Sequence, residues 1–172
     1  MRGRIELEEL RQLVETGQVD TVLTVFPDLY GRLVGKRVSG QFFLDHVAPD
    51  GLHACDYLLA CDMEMDPVPG YAFTSWEAGY GDVRLVPDFR TLRVASWLEA
   101  SAVVLCDVYE EERDALVEVA PRTVLRRQVD RARALGYVAM GGSELEFYIL
   151  RDSYEEAARK RYVGLEPFGR YI

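Results

Sequence analysis

Histidine and cysteine are scarce: the 172-residue chain has two of the first and three of the second. Cys55, Cys61 and Cys106 are odd in number and include no Cys-x-x-Cys pair, which argues against a disulfide framework or a zinc-thiolate site. Their mostly apolar surroundings predict buried free thiols. His46 and His53 lack partners at a catalytic spacing and read as ordinary surface or loop residues. No apolar run approaches membrane-spanning length, and the start turns acidic at once without a signal-like apolar stretch, so the expectation is a cytoplasmic protein with no membrane partner. Positive charge is also short: 20 basic against 29 acidic residues give a formal charge of -9. That balance argues against nucleic acid or an anionic membrane as the main partner, yet it leaves room for a local basic pocket. There is no internal repeat and no low-complexity segment.

What is present is a globular composition, 49% hydrophobic and 28% charged. Leu7, Leu10, Leu13 and Val14 recur at helical spacing ahead of Gly17, which predicts an amphipathic helix over residues 4–16. Residues 19–26 and 32–38 read as two strands of a hairpin joined by Pro27-Asp28-Leu29-Tyr30-Gly31. Phe42, Phe43, Leu44 and Val47 suit a short helix that Pro49-Asp50-Gly51 ends, and residues 57–60 form another short apolar element. Residues 63–82 are a loop with many aromatics, Tyr71, Phe73, Trp76 and Tyr80, and two readings stand: the loop docks on something, or its rings anchor it to its own domain. Strands are expected over residues 83–86, 92–97 and 102–108, followed by an acidic surface turn or linker at 109–114. Pro121 opens a second helix with a Val124, Leu125, Val129, Ala132, Leu135 stripe and Gly136 at its end. Its arginines, Arg122, Arg126, Arg127, Arg131 and Arg133, read as a solvated or interface-facing side.

Residues 137–140 and 144–150 are read as strands, and Ser153 with Glu156 as the capping box of a helix reaching about Lys160, with loop-like text to Arg170-Tyr171-Ile172. In the second of these strands Leu145, Phe147 and Ile149 alternate with Glu144, Glu146 and Tyr148. Carboxylates at i and i+2 share a strand face at about 6.6 Å. Such a pair suits hard divalent cations, Mg²⁺ or Mn²⁺, in a site that handles nucleotide. Spacing by itself is a weak signal and reads first as a half-exposed strand with a solvated acidic face. The expected fold class is α+β. A helix-strand-strand-helix unit of this size cannot bury its faces without more sheet beside it, so the reading is one whole small domain and the opening of a second.

In order, the chain carries Asp28-Leu29-Tyr30-Gly31, Gly35-Lys36-Arg37, Gly79-Tyr80-Gly81-Asp82, Val86-Pro87-Asp88 with Thr91-Leu92, Trp97, Pro121-Arg122 with Leu125, Ala134-Leu135-Gly136, and Ser143-Glu144-Leu145-Glu146-Phe147-Tyr148. This succession resembles the N-terminal part of the glutamine synthetase superfamily, especially its branch of γ-glutamyl-amine ligases. The resemblance implies a β-grasp domain over residues 1–115, then the first elements of an incomplete catalytic domain over 116–172. It implies an ATP-dependent ligase in which glutamate is activated as its γ-glutamyl phosphate and ammonia or an amine displaces phosphate. Two divalent metals, Mg²⁺ or Mn²⁺, would lie between subunits of a ring-shaped homo-oligomer, with Glu144 and Glu146 each a ligand to one of them.

The departures are specific. Where the family's β-grasp loop carries an aspartate in an acidic-Gly-Ser-Ser setting, this chain reads Tyr71-Ala72-Phe73-Thr74-Ser75-Trp76-Glu77-Ala78. That leans toward an amine other than ammonia and leaves the general base unassigned, with Glu77 and Asp82 the nearby acids. Val34 stands where an arginine is usual, and Ala120 where a serine would cap the helix. Residues for the nucleotide pocket are not identified, and the 172 residues alone are expected to lack ligase activity. The competing expectation is a stand-alone β-grasp module that binds or regulates without catalysis.

Overall fold

The computed structural model describes residues 3–111 and 113–169 and divides into two compact units, Met1–Tyr137 and Val138–Ile172. Of the positions read above, Met1, Arg2, Glu112 and Arg170-Tyr171-Ile172 lie outside the described residues.

In the first unit the leucine spacing produces α1 (Leu7–Glu15), which buries Leu10 and Leu13, and Gly17 takes a positive φ just past its end. Strands β1 (Thr21–Pro27) and β2 (Leu33–Ser39) pair antiparallel from Thr21↔Ser39 to Pro27↔Leu33, the expected hairpin. Asp28 closes its turn by accepting from the Tyr30 and Arg32 amides, both at 2.9 Å. Ser39 then caps a continuous helical stretch of α2 (Gly40–Phe42), a π-helical turn (Phe43–Val47) and α3 (Ala48–Asp50), ended by Gly51 at φ 83. Next come β3 (Leu52–Cys55), a 3₁₀ turn (Asp56–Leu59), the long loop, β4 (Asp82–Pro87), β5 (Arg93–Val94) and β6 (Ser101–Glu110).

The strands form one mixed sheet in the order β2-β1-β6-β4-β3, with β5 also on β6. The central β6 runs parallel to β1, from Thr21↔Ser101 to Val25↔Leu105, and antiparallel to β4, from Val83↔Glu110 to Pro87↔Cys106. A parallel neighbour needs a crossover, and the helical stretch with β3 and β4 supplies the intervening chain. On β1, Val22 and Phe26 join the main core with Leu10, Phe43, Leu85, Leu92, Val104 and Val108, whereas Val25 joins a smaller cluster with Ala95 and Val103 on the other face. Each fully buried Leu, Val or Phe contributes about 1.5–3 kcal/mol against exposure.

Several expectations are corrected in this unit. The strand expected over 92–97 shrinks to Arg93–Val94, because the chain turns away after Ala95, whose carbonyl accepts the Leu98 amide at 3.1 Å, and Trp97 is exposed. Strand β3 was not foreseen, since Leu-His-Ala-Cys offers neither alternation nor β-branched residues. Cys55 is exposed on β3, an edge strand of the sheet, while Cys61 and Cys106 are buried as expected.

Helix α4 (Pro121–Ala134) has the expected bounds: Pro121 is its first residue, Ala120 gives no side-chain cap, and Gly136 lies beyond its end at φ 83. Its orientation reverses the expectation, however. Only Thr123 is buried, the stripe residues Val124, Leu125 and Leu135 are exposed, and Arg122 and Arg126 turn toward the sheet. Two carboxylates at the sheet, Asp88 and Asp107, draw that face inward.

The second unit contains α5 (Tyr154–Arg159), opened by the expected capping box in which Ser153 and Glu156 serve each other's backbone. The strands expected over 137–140 and 144–150 are absent: residues 137–149 have no assigned strand or helix, and Leu150 makes one antiparallel bridge to Pro167. The reason is the lack of a hydrogen-bonding neighbour and of a surface to cover the apolar side, since Leu145 and Phe147 are 85% and 75% exposed. Among the described residues no helix is long and apolar enough to cross a membrane.

Candidate functional site

Glu144 and Glu146 both lie exposed in the run without assigned helix or strand that precedes α5. The run is fastened at its end: the Phe168 amide donates to the Ile149 carbonyl at 2.8 Å and the Arg151 amide to the Glu166 carbonyl at 2.9 Å. Asp152 reinforces this fastening by pairing with Lys160 and accepting the Glu166 amide at 2.7 Å, and these two contacts hold its carboxyl below the usual range. No cluster of three or more His, Cys, Asp or Glu able to hold a metal occurs among the described residues. The donor chemistry of Glu144 and Glu146 fits a hard cation in kind. In number it does not complete a site, because Mg²⁺ requires near-octahedral oxygen coordination.

The other motif residues resolve into architecture. Gly35 has φ +152, and a Cβ there would meet the Thr24 carbonyl oxygen at 2.1 Å, so the hairpin demands glycine. The Asp28 carboxylate receives Arg32 Nε at 2.7 Å, while the same guanidinium reaches the Met63 and Asp62 carbonyls at 2.6 and 2.7 Å. One arginine thus ties the hairpin tip to the start of the aromatic loop. Burial pushes the Asp28 carboxyl up, and the Arg32 and backbone hydrogen bonds outweigh it, leaving the net value lowered.

The far end of the loop hangs on buried Asp56, which accepts from Thr74 Oγ1 at 2.7 Å and from the Gly81 amide at 3.1 Å. Phe73 packs on the core, Tyr57 and Tyr80 meet edge to face at 5.7 Å, and Trp76, at 80% exposed, stands outside. The anchoring reading holds for Phe73 and Thr74, and Trp76 is exposed. Glu77 and Asp82 are exposed beside it, and His46 and His53 are exposed as expected.

Sequence reading missed the charge cluster that α4 makes with Asp107 of β6 and Asp88 just past β4. Asp88 accepts from Arg90 Nε at 2.9 Å and from Arg122 Nη2 at 2.7 Å; Asp107 accepts from Arg122 Nε at 2.9 Å and pairs with Arg126. The signal was available in two arginines at i and i+4 on one helix face. Arg90's hydrogen bonds, with the Arg122 charge behind them, hold Asp88 below the ordinary carboxylate range, and Asp107 raises Arg126.

Comparison with known proteins gives these positions a context. Residues 118–168, which include both glutamates, match the family described as glutamine synthetase, catalytic domain. Gamma-glutamylethanolamide synthetase GlnA4 of Streptomyces coelicolor is 46% identical over 96% of this chain and 36% of its own length. Glutamate--isopropylamine ligase of a Pseudomonas species is 33% identical over 94% of this chain and 35% of its own. A solved structure titled "GmaS/ADP complex-Conformation 1" superposes with a TM-score of 0.55 at 19% identity, covering 90% of this chain and 36% of that one, a likeness of fold. The chain thus spans little more than a third of the length of the relatives it matches. It belongs to the glutamine synthetase superfamily.

Proposed function

We propose that this chain is the N-terminal portion of an ATP-dependent glutamate-amine ligase that works through a γ-glutamyl phosphate. The observation that carries the reading is the exposed Glu-x-Glu segment lying within the matched catalytic-domain stretch. Glu144 and Glu146 would hold two divalent cations, Mg²⁺ or Mn²⁺, through their carboxylate oxygens, with the remaining ligands coming from elsewhere in the complete protein. Such cations neutralise charge on phosphate oxygens during transfer. Without those further ligands the 172 residues have no ligase activity of their own.

Residues 1–115 are a β-grasp domain in this proposal, supported by the helix-covered mixed sheet with a parallel pair at its centre, and residues 116–172 begin the catalytic domain, supported by a family match that starts at residue 118. The complete protein is cytoplasmic and forms a homo-oligomeric ring. Its acceptor is an amine larger than ammonia, as the names of the two relatives suggest and as the loop without an acidic-Gly-Ser-Ser motif permits. A panel of ammonium, ethanolamine, isopropylamine and polyamines, scored by phosphate release from the full-length protein with glutamate and ATP, tests this. Release with ammonium alone would sink the acceptor assignment, and no amine-dependent release would sink the ligase. The second reading, a binding module without catalysis, draws on the core that the first unit possesses by itself. It gains only if the full-length panel is silent.

A further inference from the structure

In a chain with a formal charge of -9, four arginines line one depression of about 320 Å³: Arg90 from the turn after β4, and Arg122, Arg126 and Arg133 from α4. Leu125 and Val129 form its apolar wall, and Asp130 is the one acid in its lining. Counting the interior partners Asp88 and Asp107 with Asp130, the four guanidiniums keep one positive charge in excess.

The acids do not exhaust the donors. A guanidinium carries five N–H groups, and the internal bonds engage two nitrogens each of Arg90 and Arg122 and one each of Arg126 and Arg133. Instead the interior carboxylates fix Arg122 and Arg126 in place, so little side-chain freedom remains to be lost when a ligand arrives. Fixed guanidiniums with spare donors recognise planar or tetrahedral oxyanions through charge-assisted hydrogen bonds. The apolar wall accommodates a short hydrocarbon portion.

We propose that this depression binds a small oxyanion, a phosphate or a short dicarboxylate. The site is built from residues of the first unit alone and does not depend on the ligase reading. The test is calorimetric titration of the full-length protein with inorganic phosphate and, separately, with succinate, in the presence of a metal chelator so that cation-dependent phosphate binding is suppressed. Two exposed positions are varied, Arg133→Gln and Asp130→Asn, whose side chains form an i,i+3 surface pair at 3.0 Å and leave the core untouched. Arg133→Gln should weaken binding about tenfold by removing one charge-assisted contact. Asp130→Asn should strengthen it several-fold, because the competing acid is gone. Tighter binding of phosphate assigns the phosphate class, and tighter binding of succinate the carboxylate class. Absence of saturable binding of either ligand, or affinities that neither variant moves, overturns the proposal.

Discussion

Arg122 Nη2 lies 2.7 Å from Asp88 Oδ2, and the same guanidinium places Nε 2.9 Å from Asp107 Oδ1. Two residues that carry the family resemblance, on either side of the proposed domain boundary, are thus each other's partners. Both aspartate side chains are close to buried, at 9% and 12% exposure. Removing the arginine leaves carboxylates without full compensation, so Arg122→Ala should cost about 3 kcal/mol, tempered by the Arg90 and Arg126 contacts that remain. Urea unfolding followed by far-ultraviolet circular dichroism checks this, and a loss under 1 kcal/mol contradicts it.

The cluster also sets an acid limit. Arg90's hydrogen bonds hold Asp88 below its ordinary 3.8, so its stabilising contribution is complete above that value and is lost as pH falls through the lowered one. Thermal stability should therefore drop below about pH 4. Asp88→Asn should flatten that part of the profile while lowering stability at pH 7; an unchanged acid limb would argue against the assignment.

Glycine is required at one hairpin position and optional at another. Gly35→Ala places a Cβ against the Thr24 carbonyl at 2.1 Å and should cost about 2–3 kcal/mol. Gly31, at φ +81 with nothing within 4 Å of a built Cβ, should accept asparagine at a few tenths of a kcal/mol. Equal costs at the two sites would refute the close-approach explanation.

Burial pushes the Cys106 thiol up to about 12, with Asp107 adding to the effect, and raises Cys61 as well. At pH 8 alkylation under native conditions should label Cys55 first and Cys106 only on unfolding, as mass spectrometry can read.

How much of this was legible depended on where the deciding interaction sits. The presence of α1, which starts three residues later than the expected residue 4, the bounds of α4, the hairpin and the capping box of α5 follow from local signals, leucine spacing, Pro121, Gly136 and Ser153 with Glu156. Direction was harder. Periodicity marks the apolar stripe of α4 but not which side meets the sheet, and that is decided by Asp88 and Asp107, distant in sequence. Residues 144–150 have strand composition but only a single bridge, at Leu150, and a strand needs a continuing ladder. The roles of Asp28, Gly35 and Asp88 became readable as turn closure, close approach and ion pairing only once their partners were placed.

The most direct measurement is metal-dependent turnover of the full-length protein carrying Glu144→Gln or Glu146→Gln, alongside Mn²⁺ titration of the same variants. Each variant should lose one bound cation and at least a hundredfold in phosphate release with its fold intact, whereas unaltered stoichiometry and near-normal turnover would contradict the account.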